Sequence, residues 1–490
     1  MERLIDNPLS LLPRWLAFRI LPFLQFLDRN RRILLRFVLV TAVLLLAPLA
    51  GIGINDVNPL LIFGVIAFPL LLLGLHGLVL RPTWGPIVIL FAAALVPISL
   101  STGTESRLVD SFLVTLLMFG NALVVMLIIE KRVHLAPSPA TKPLLWFMLV
   151  IWLSLIWSNI FMDPLADPAK LSKKFAFVQV ATALTMMMLP VAFLLAANYI
   201  TSLRQVKIMA AIMLVAAVVG ATNYFNMQQV IEANTRGLFS MWIVAITVGL
   251  LLFVRNIPWP MRIFLLAIGG LWFYIRFFLG ISWLAGWLPS VLVLAVLLFM
   301  RSKRLFLVGV LAMALFITLN SDYYFGTVLA NEESESGNTR LAAWEVNWRV
   351  TGKHLLLGTG PAGYAVYYMS YFRHDGMATH SSLIDTVAQT GIVGLGLIIW
   401  FFGALIWQGY KLCRRLQGRR DFAEAMANVA FAGTLGTAVM AIFGDWLFPF
   451  TYTQTIAGFD YVVYSWLFMG LIVAIDRITR PPEEPLPESA

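Results

Sequence analysis

Cysteine is almost absent. Cys413 is the only one in 490 residues, so the chain forms no intramolecular disulfide and no multi-cysteine metal site. Charge is scarce too. Asp, Glu, Lys and Arg make up 12% of the chain and apolar residues 60%, against roughly a quarter charged and half apolar in a soluble domain. That deficit excludes a water-soluble globular body. Residues 1–30 lack a short apolar core followed by a small-residue cleavage site, so no cleavable leader is expected. Leu9–Leu27, in which Arg14 and Arg19 interrupt Trp15, Phe18, Phe23 and Phe26, reads instead as a helix lying in the cytoplasmic interface. No His, Cys, Asp or Glu cluster has metal-ligand spacing, and no cofactor is expected.

What the chain has in quantity is long apolar stretches. They fall near 33–54, 58–80, 84–100, 108–130, 143–162, 175–200, 206–226, 237–254, 260–278, 280–300, 304–320, 382–409, 424–447 and 459–476. Lipid offers no partner to an unpaired backbone group, so each must be helical. The expected fold is an all-α polytopic membrane protein of about 12–14 transmembrane helices. The net charge of +10 is sorted by loop rather than gathered on a nucleic-acid-binding face. With both termini cytoplasmic, 25 of the 35 Lys and Arg lie in inner connections and 10 outside, the bias that sets orientation. Fourteen spans satisfy it, and twelve with the same sidedness do so too. The weakest division is 260–300, one apolar run broken only by Arg276 and Gly280. The organisation expected is a cytoplasmic interfacial segment at 1–30, transmembrane helices 1–11 over 31–320, an extracytoplasmic loop at 321–381, helices 12–14 over 382–478 and a cytoplasmic tail at 479–490.

The long loop is the informative connection, because extended loops in compact proteins are usually functional or disordered. It opens on Glu332, Glu333 and Glu335, and its many aromatics predict short helices on the outer face rather than disorder. Positive charge is disfavoured on that side, so the arginines that persist there are candidates for holding an anion. Arg236 opens span eight, Arg276 lies near the outer end of span nine, Arg340 stands early in the loop and Arg373 late. A guanidinium donates two parallel hydrogen bonds to phosphate oxygens; each of these side chains also fits simple snorkelling to the interface. His380, just before span twelve, has the proton affinity of a general base for a sugar hydroxyl, and equally reads as a helix-entry residue. His354 and His374 compete with it in the loop. Ser382-Leu383-Ile384-Asp385 fits a capping box, the role favoured for Asp385 over orienting His380. Gly358-Thr359-Gly360-Pro361-Ala362-Gly363 spells G-x-G-x-x-G but lacks the strand and helix of a dinucleotide site. Tyr364, Tyr367, Tyr368 and Tyr371 read either as sugar-stacking rings or as an interfacial belt.

Taken together, these residues resemble the O-antigen ligase and polymerase superfamily of bacterial membrane glycosyltransferases. The likeness rests on Gly337-Asn338-Thr339-Arg340-Leu341-Ala342-Ala343-Trp344, on Gly358–Tyr364, and on His380-Ser381-Ser382-Leu383 followed by Gln389-Thr390-Gly391-Ile392-Val393-Gly394. Thr235-Arg236-Gly237 is similar to the arginine opening an earlier span, whereas Trp283 stands where the family often carries an arginine. The resemblance implies an undecaprenyl-pyrophosphate-linked glycan as donor. It also implies Arg236 and Arg340 on the pyrophosphate, with Arg276 and Arg373 behind them, and His380 at the acceptor hydroxyl. Transfer would invert the anomeric carbon without a metal, in the bacterial cytoplasmic (inner) membrane. The acceptor stays open between lipid A–core, another lipid-linked repeat or polysaccharide chain, and protein. The rival reading is a transporter or flippase of lipid-linked oligosaccharide or polysaccharide, against which stand unequal halves and spans nearly free of mid-membrane charge.

Overall fold

The computed structural model describes residues 81–96, 98–101, 107–170, 174–227, 231–280, 284–323, 326, 338–371, 379–450 and 454–480. The interfacial helix, the spans at 33–54 and 58–80, the acidic run, Arg373, Trp283 and the tail lie outside the described residues, and so does the side chain of Arg340. The chain divides into two units, 1–85 with 117–134, and 86–116 with 135–490. In the described part of the first, a π-type turn at Val124–Ile129 is followed by His134 against Glu130 at 3.0 Å.

The second unit is a helical bundle. Its elements are α1 (Gly85–Leu95), the hairpin β1 (Ser99–Ser101) and β2 (Arg107–Val109), α2 (Asp110–Leu123), α3 (Thr141–Ile160), α4 (Phe175–Tyr199), α5 (Leu203–Tyr224), α6 (Phe239–Phe253), α7 (Trp259–Tyr274), α8 (Leu284–Arg301), α9 (Lys303–Leu319), α10 (Asn338–Thr351), α11 (Gly363–Tyr371), α12 (Ser382–Leu416), α13 (Phe422–Met440) and α14 (Val463–Thr479). α1 and α2 each cross the boundary between the units. Among the described residues, seven helical stretches are long and apolar enough to cross a membrane, and the fold is an all-α polytopic membrane protein. Each expected span from 84 onward coincides with a helix, with two shortenings: the span expected at 424–447 ends as helix at Met440, and the other is at the start of the unit. The expected span 84–100 ends as helix at Leu95, and Ser99–Ser101 pairs with Arg107–Val109. Pro97 explains it, since proline biases the preceding Val96 away from helical backbone.

α14 sits at the centre. Val463 to Ile475 are at most 1% exposed, as expected of a helix apolar all round, and α4 and α13 pack along it. Between spans, lipid is as apolar as leucine, so association depends on close packing through small residues. α13 meets α6 in this way. A Cβ on Gly433 would lie 2.2 Å from the Trp242 ring, and one on Gly249 2.3 Å from Val429.

Contacts between helix ends sort the connections into two groups. At one end Ala136 N–H donates to Asn198 (2.6 Å), Arg477 to the Asn198 and Ile200 carbonyls, Arg255 N–H to the Arg420 carbonyl, and Arg415 pairs with Asp476 at 3.0 Å. At the other, Asp163 N–H donates to Tyr367, Asn234 N–H to the Ala94 carbonyl, and Ser111 to Asp460. This grouping is the same as the one that charge bias produces. The second group is the one assigned outside, and the candidate site is there.

Candidate active site

His380 lies in a short strap, residues 379–382, whose other members are at most 1% exposed while the histidine itself is exposed. Each backbone neighbour is fixed. The Trp344 indole N–H donates to the Thr379 carbonyl at 2.8 Å, and Ser381 caps α12 by accepting from the Ile384 N–H at 3.3 Å. Ser382 N–H and hydroxyl both donate to the Gly444 carbonyl (3.1 and 2.8 Å), and the same hydroxyl accepts from Leu447 N–H at 3.1 Å. Between these anchors His380 takes a left-handed backbone, φ +49°. That region is uncommon for a side chain with a Cβ, and such strain persists only where surroundings over-determine it.

The expected capping box is not what forms. Ser381 rather than Ser382 caps the helix, so Asp385 is not in the box position. Instead Asp385 is 3% exposed and accepts from Gln389 Nε2 at 2.5 Å, one turn along the helix. It lies within electrostatic reach of Asp445.

α12 breaks one turn further on. Gly391 has φ +69° and ψ −171°, a backbone that essentially only glycine takes, and the glycine-rich turn of the loop fills the break. Thr359 N–H donates to the Ala388 carbonyl (2.8 Å), Gly360 N–H to that of Gln389 (3.1 Å), and Ile392 N–H to that of Leu355 (2.8 Å). The Ser154 hydroxyl of α3 lies 2.5 Å from both the Leu357 and Gln389 carbonyl oxygens and gives its one proton to one or the other, and Ala362 N–H donates to Gln389 Oε1 at 3.2 Å. A broken helix at membrane depth is tolerated only where protein satisfies its freed groups. The turn supplies those partners, a structural use of the G-x-G-x-x-G pattern.

The loop's tyrosines divide. Tyr364, Tyr367 and Tyr368 are 2–4% exposed and form a core with Phe175, Ala388 and Phe450, so they are unavailable as stacking platforms. Tyr371, 43% exposed, donates to Asp163 at 2.5 Å. That bond holds the Asp163 carboxylate below its ordinary value, with the Leu165 N–H assisting, and raises the Tyr371 phenol to about 12. Beside them the His354 ring meets Tyr367 edge-on at 4.9 Å, and burial pushes its imidazole below the ordinary value.

Arg276 and the backbone at Arg236 are brought together by tertiary contact. Arg276 lies in a π-type turn, Ile275–Leu279, that continues α7, and its Nη2 donates to the Thr235 carbonyl at 3.0 Å. The Tyr464 hydroxyl donates to the next carbonyl, that of Arg236, and Gly237 follows at φ +61°. A Cβ there would lie 2.5 Å from the Tyr461 carbonyl, so α6 opens hard against the segment leading into α14. The exposed Arg236 is within electrostatic reach of Tyr461, which in turn reaches Asp445, next to the Gly444 that anchors Ser382. Residue 340 lies one helical turn before Trp344 on α10. Arg236, Arg276, residue 340 and His380 are therefore linked, contact by contact, through residues 441–447 and 461–464, α10 and the start of α12.

Residues 279–399 match the family model described as O-antigen ligase. The match places this segment in the O-antigen ligase superfamily. Among curated proteins none matches the chain. The O-antigen ligase segment runs from the end of the π-type turn into the middle of α12 and so includes Arg340, Trp344, the glycine-rich turn, His380 and Gly391. Arg236 and Arg276 precede it and join it only through the contacts just described. In general terms the matched segment supports an O-antigen ligase or polymerase type of membrane glycosyltransferase.

Proposed function

We propose that this chain is an inverting, metal-independent glycosyltransferase. It transfers a glycan from undecaprenyl pyrophosphate to an acceptor hydroxyl at the outer face of the bacterial cytoplasmic membrane. The observation that carries the reading is the Trp344–Thr379 hydrogen bond, which joins the helix bearing Arg340 to the exposed, backbone-constrained His380.

The acceptor hydroxyl gives its proton to the His380 imidazole while its oxygen attacks the anomeric carbon from the face opposite the pyrophosphate. The glycosidic C–O bond breaks and its electron pair leaves on the pyrophosphate oxygen. Arg236 and Arg340 meet the charge that develops there, with Arg276 behind Arg236 and Arg373 assigned to the same anion. Charge stabilisation of this kind is usually the largest single contribution to such a barrier. The lipid pyrophosphate is already an activated leaving group, so the chemistry asks for no metal. The acceptor is a glycan, the lipid A–core or another lipid-linked chain, and the protein binds no nucleic acid.

The test is transfer by purified protein from a synthetic undecaprenyl-pyrophosphate glycan. His380→Ala is expected to lower the rate by about 10²–10⁴-fold, and Arg236→Ala by roughly 10²–10³-fold, both with normal membrane insertion. Full activity of His380→Ala would remove the base assignment. Movement of donor between leaflets without any transfer would replace the enzyme by a transporter.

A further inference from the structure

Trp344 is half-buried on α10, with its ring nitrogen committed to a backbone carbonyl rather than to solvent. The carbonyl it holds belongs to Thr379, the residue immediately before the left-handed His380. On the other side of His380 the backbone is held by α12 capping and by the Gly444 and Leu447 contacts of Ser382. The Thr379 hydroxyl adds an internal brace by donating to the Ser381 carbonyl at 3.1 Å. Trp344 supplies a side-chain hydrogen bond from outside the strap to its N-terminal half, at the residue immediately before His380. A left-handed residue needs its peptide fixed on both sides, because release of either lets φ relax to negative values and swings the Cβ. The imidazole would move with it, and displacement of about 1 Å at a reacting group costs on the order of 10²-fold in rate.

We infer that Trp344 is a positioning residue: by gripping the Thr379 carbonyl it locks the His380 backbone and sets the imidazole relative to α10. The inference rests on the reading of His380 as general base. It gives the loop tryptophan a purpose other than packing or membrane anchoring, both of which the ring alone would serve.

The experiment compares full-length wild type, Trp344→Phe and a variant carrying benzothienylalanine at 344, which keeps the bicyclic shape but lacks the N–H. Each is reconstituted in vesicles and assayed with undecaprenyl-pyrophosphate glycan as donor. Both variants are expected to lose about tenfold or more in kcat, with donor KM within about twofold and thermal stability close to wild type. In the residual turnover of His380→Ala, adding Trp344→Phe is expected to cause no further loss, the signature of two residues acting as a unit. A benzothienylalanine variant with wild-type kcat would overturn the proposal, since the ring and not its N–H would then matter. A loss in KM rather than kcat, or the same factor lost again on top of His380→Ala, would overturn it as well. Wild-type rates in His380→Ala alone would instead strike the base assignment on which it stands.

Discussion

Replacing Gly391 with alanine tests whether the break in α12 is a built feature of the site. The residue sits at φ +69°, ψ −171°, and a Cβ would lie 2.2 Å from the Leu356 carbonyl oxygen and 2.6 Å from Leu357 N. The near neighbours are backbone, so no flexible side chain can yield. Strained backbone contributes about 1–3 kcal/mol and forced overpacking about 1–3 kcal/mol more. Healing α12 into a continuous helix returns about 1 kcal/mol of helix propensity, but it expels the 355–362 turn and leaves the Thr359 and Gly360 N–H groups without their acceptors. A net loss of roughly 2–5 kcal/mol follows. At about 2 °C per kcal/mol for a large domain, thermal unfolding in detergent should fall by roughly 5–10 °C, with transfer activity lost in parallel. Gly396, two helical residues past Gly394 on the same element, is the control. Nothing lies within 4 Å of a Cβ there, so Gly396→Ala should be neutral or stabilising by up to about 1 kcal/mol. Wild-type stability and activity in Gly391→Ala would refute the docking argument. Equal damage from Gly396→Ala would show that glycine content, not the break, is what matters.

Other consequences follow from the same geometry. Acidification should loosen α11: His354 is held below 6.5 by burial, so its contribution is complete above 6.5 and is lost as pH falls towards its folded value. Protection factors over Gly363–Tyr371, which divide out the intrinsic pH dependence of amide exchange, should fall between about pH 7.5 and 5.5, and His354→Gln should flatten that dependence; unchanged protection in the wild type would contradict it. Arg276→Lys cannot reproduce the guanidinium that spans the buried turn to the Thr235 carbonyl. Donor KM should therefore rise severalfold, whereas an unchanged KM would detach Arg276 from the anion site. Gly237→Ala, with its Cβ 2.5 Å from the Tyr461 carbonyl and a positive φ, should destabilise by about 2–4 kcal/mol, read as a drop in thermal midpoint.

The helices were legible because a bilayer imposes one rule on every span, and that rule is written in consecutive residues. The runs around α3, α4, α5 and α7 needed no tertiary knowledge; α1 departed, where Pro97 cuts an apolar run short, and so did α13, whose helix ends at Met440 although apolar residues continue to Leu447. The position of His380 was legible for a similar reason, since it stands just before the residue that caps a span. Asp385 was not. Its spacing from Ser382 satisfied a local capping pattern, while the winning interactions were Ser381 as the actual cap and Gln389 one turn away. The tyrosines of α11 were ambiguous for the opposite reason, since ring count says nothing about which side meets Ala388 and Phe450. The proximity of Arg236 and Arg276 likewise depends on a π-type turn and on Tyr464, which no local motif announces.

The glycine-rich turn shows why the loop cannot be treated as an appendage on a membrane body. A helix interrupted at Gly391 exposes carbonyls that lipid would leave unsatisfied, so α12 in this form requires the 355–362 turn. Conversely the Thr359, Gly360 and Ala362 N–H groups of the turn find their acceptors in α12, at Ala388 and Gln389. Each half is unstable without the other, which makes loop and span one rigid frame. α10 enters that frame through Trp344 and α11 through the Tyr364–Ala388 core, so residue 344 and the backbone on either side of His380 are held by the same contacts. Under the proposed function, selection among acceptors is assigned to the outward-facing surface of α10 and α11, where Trp348 and Tyr371 stay exposed, rather than to the frame beneath.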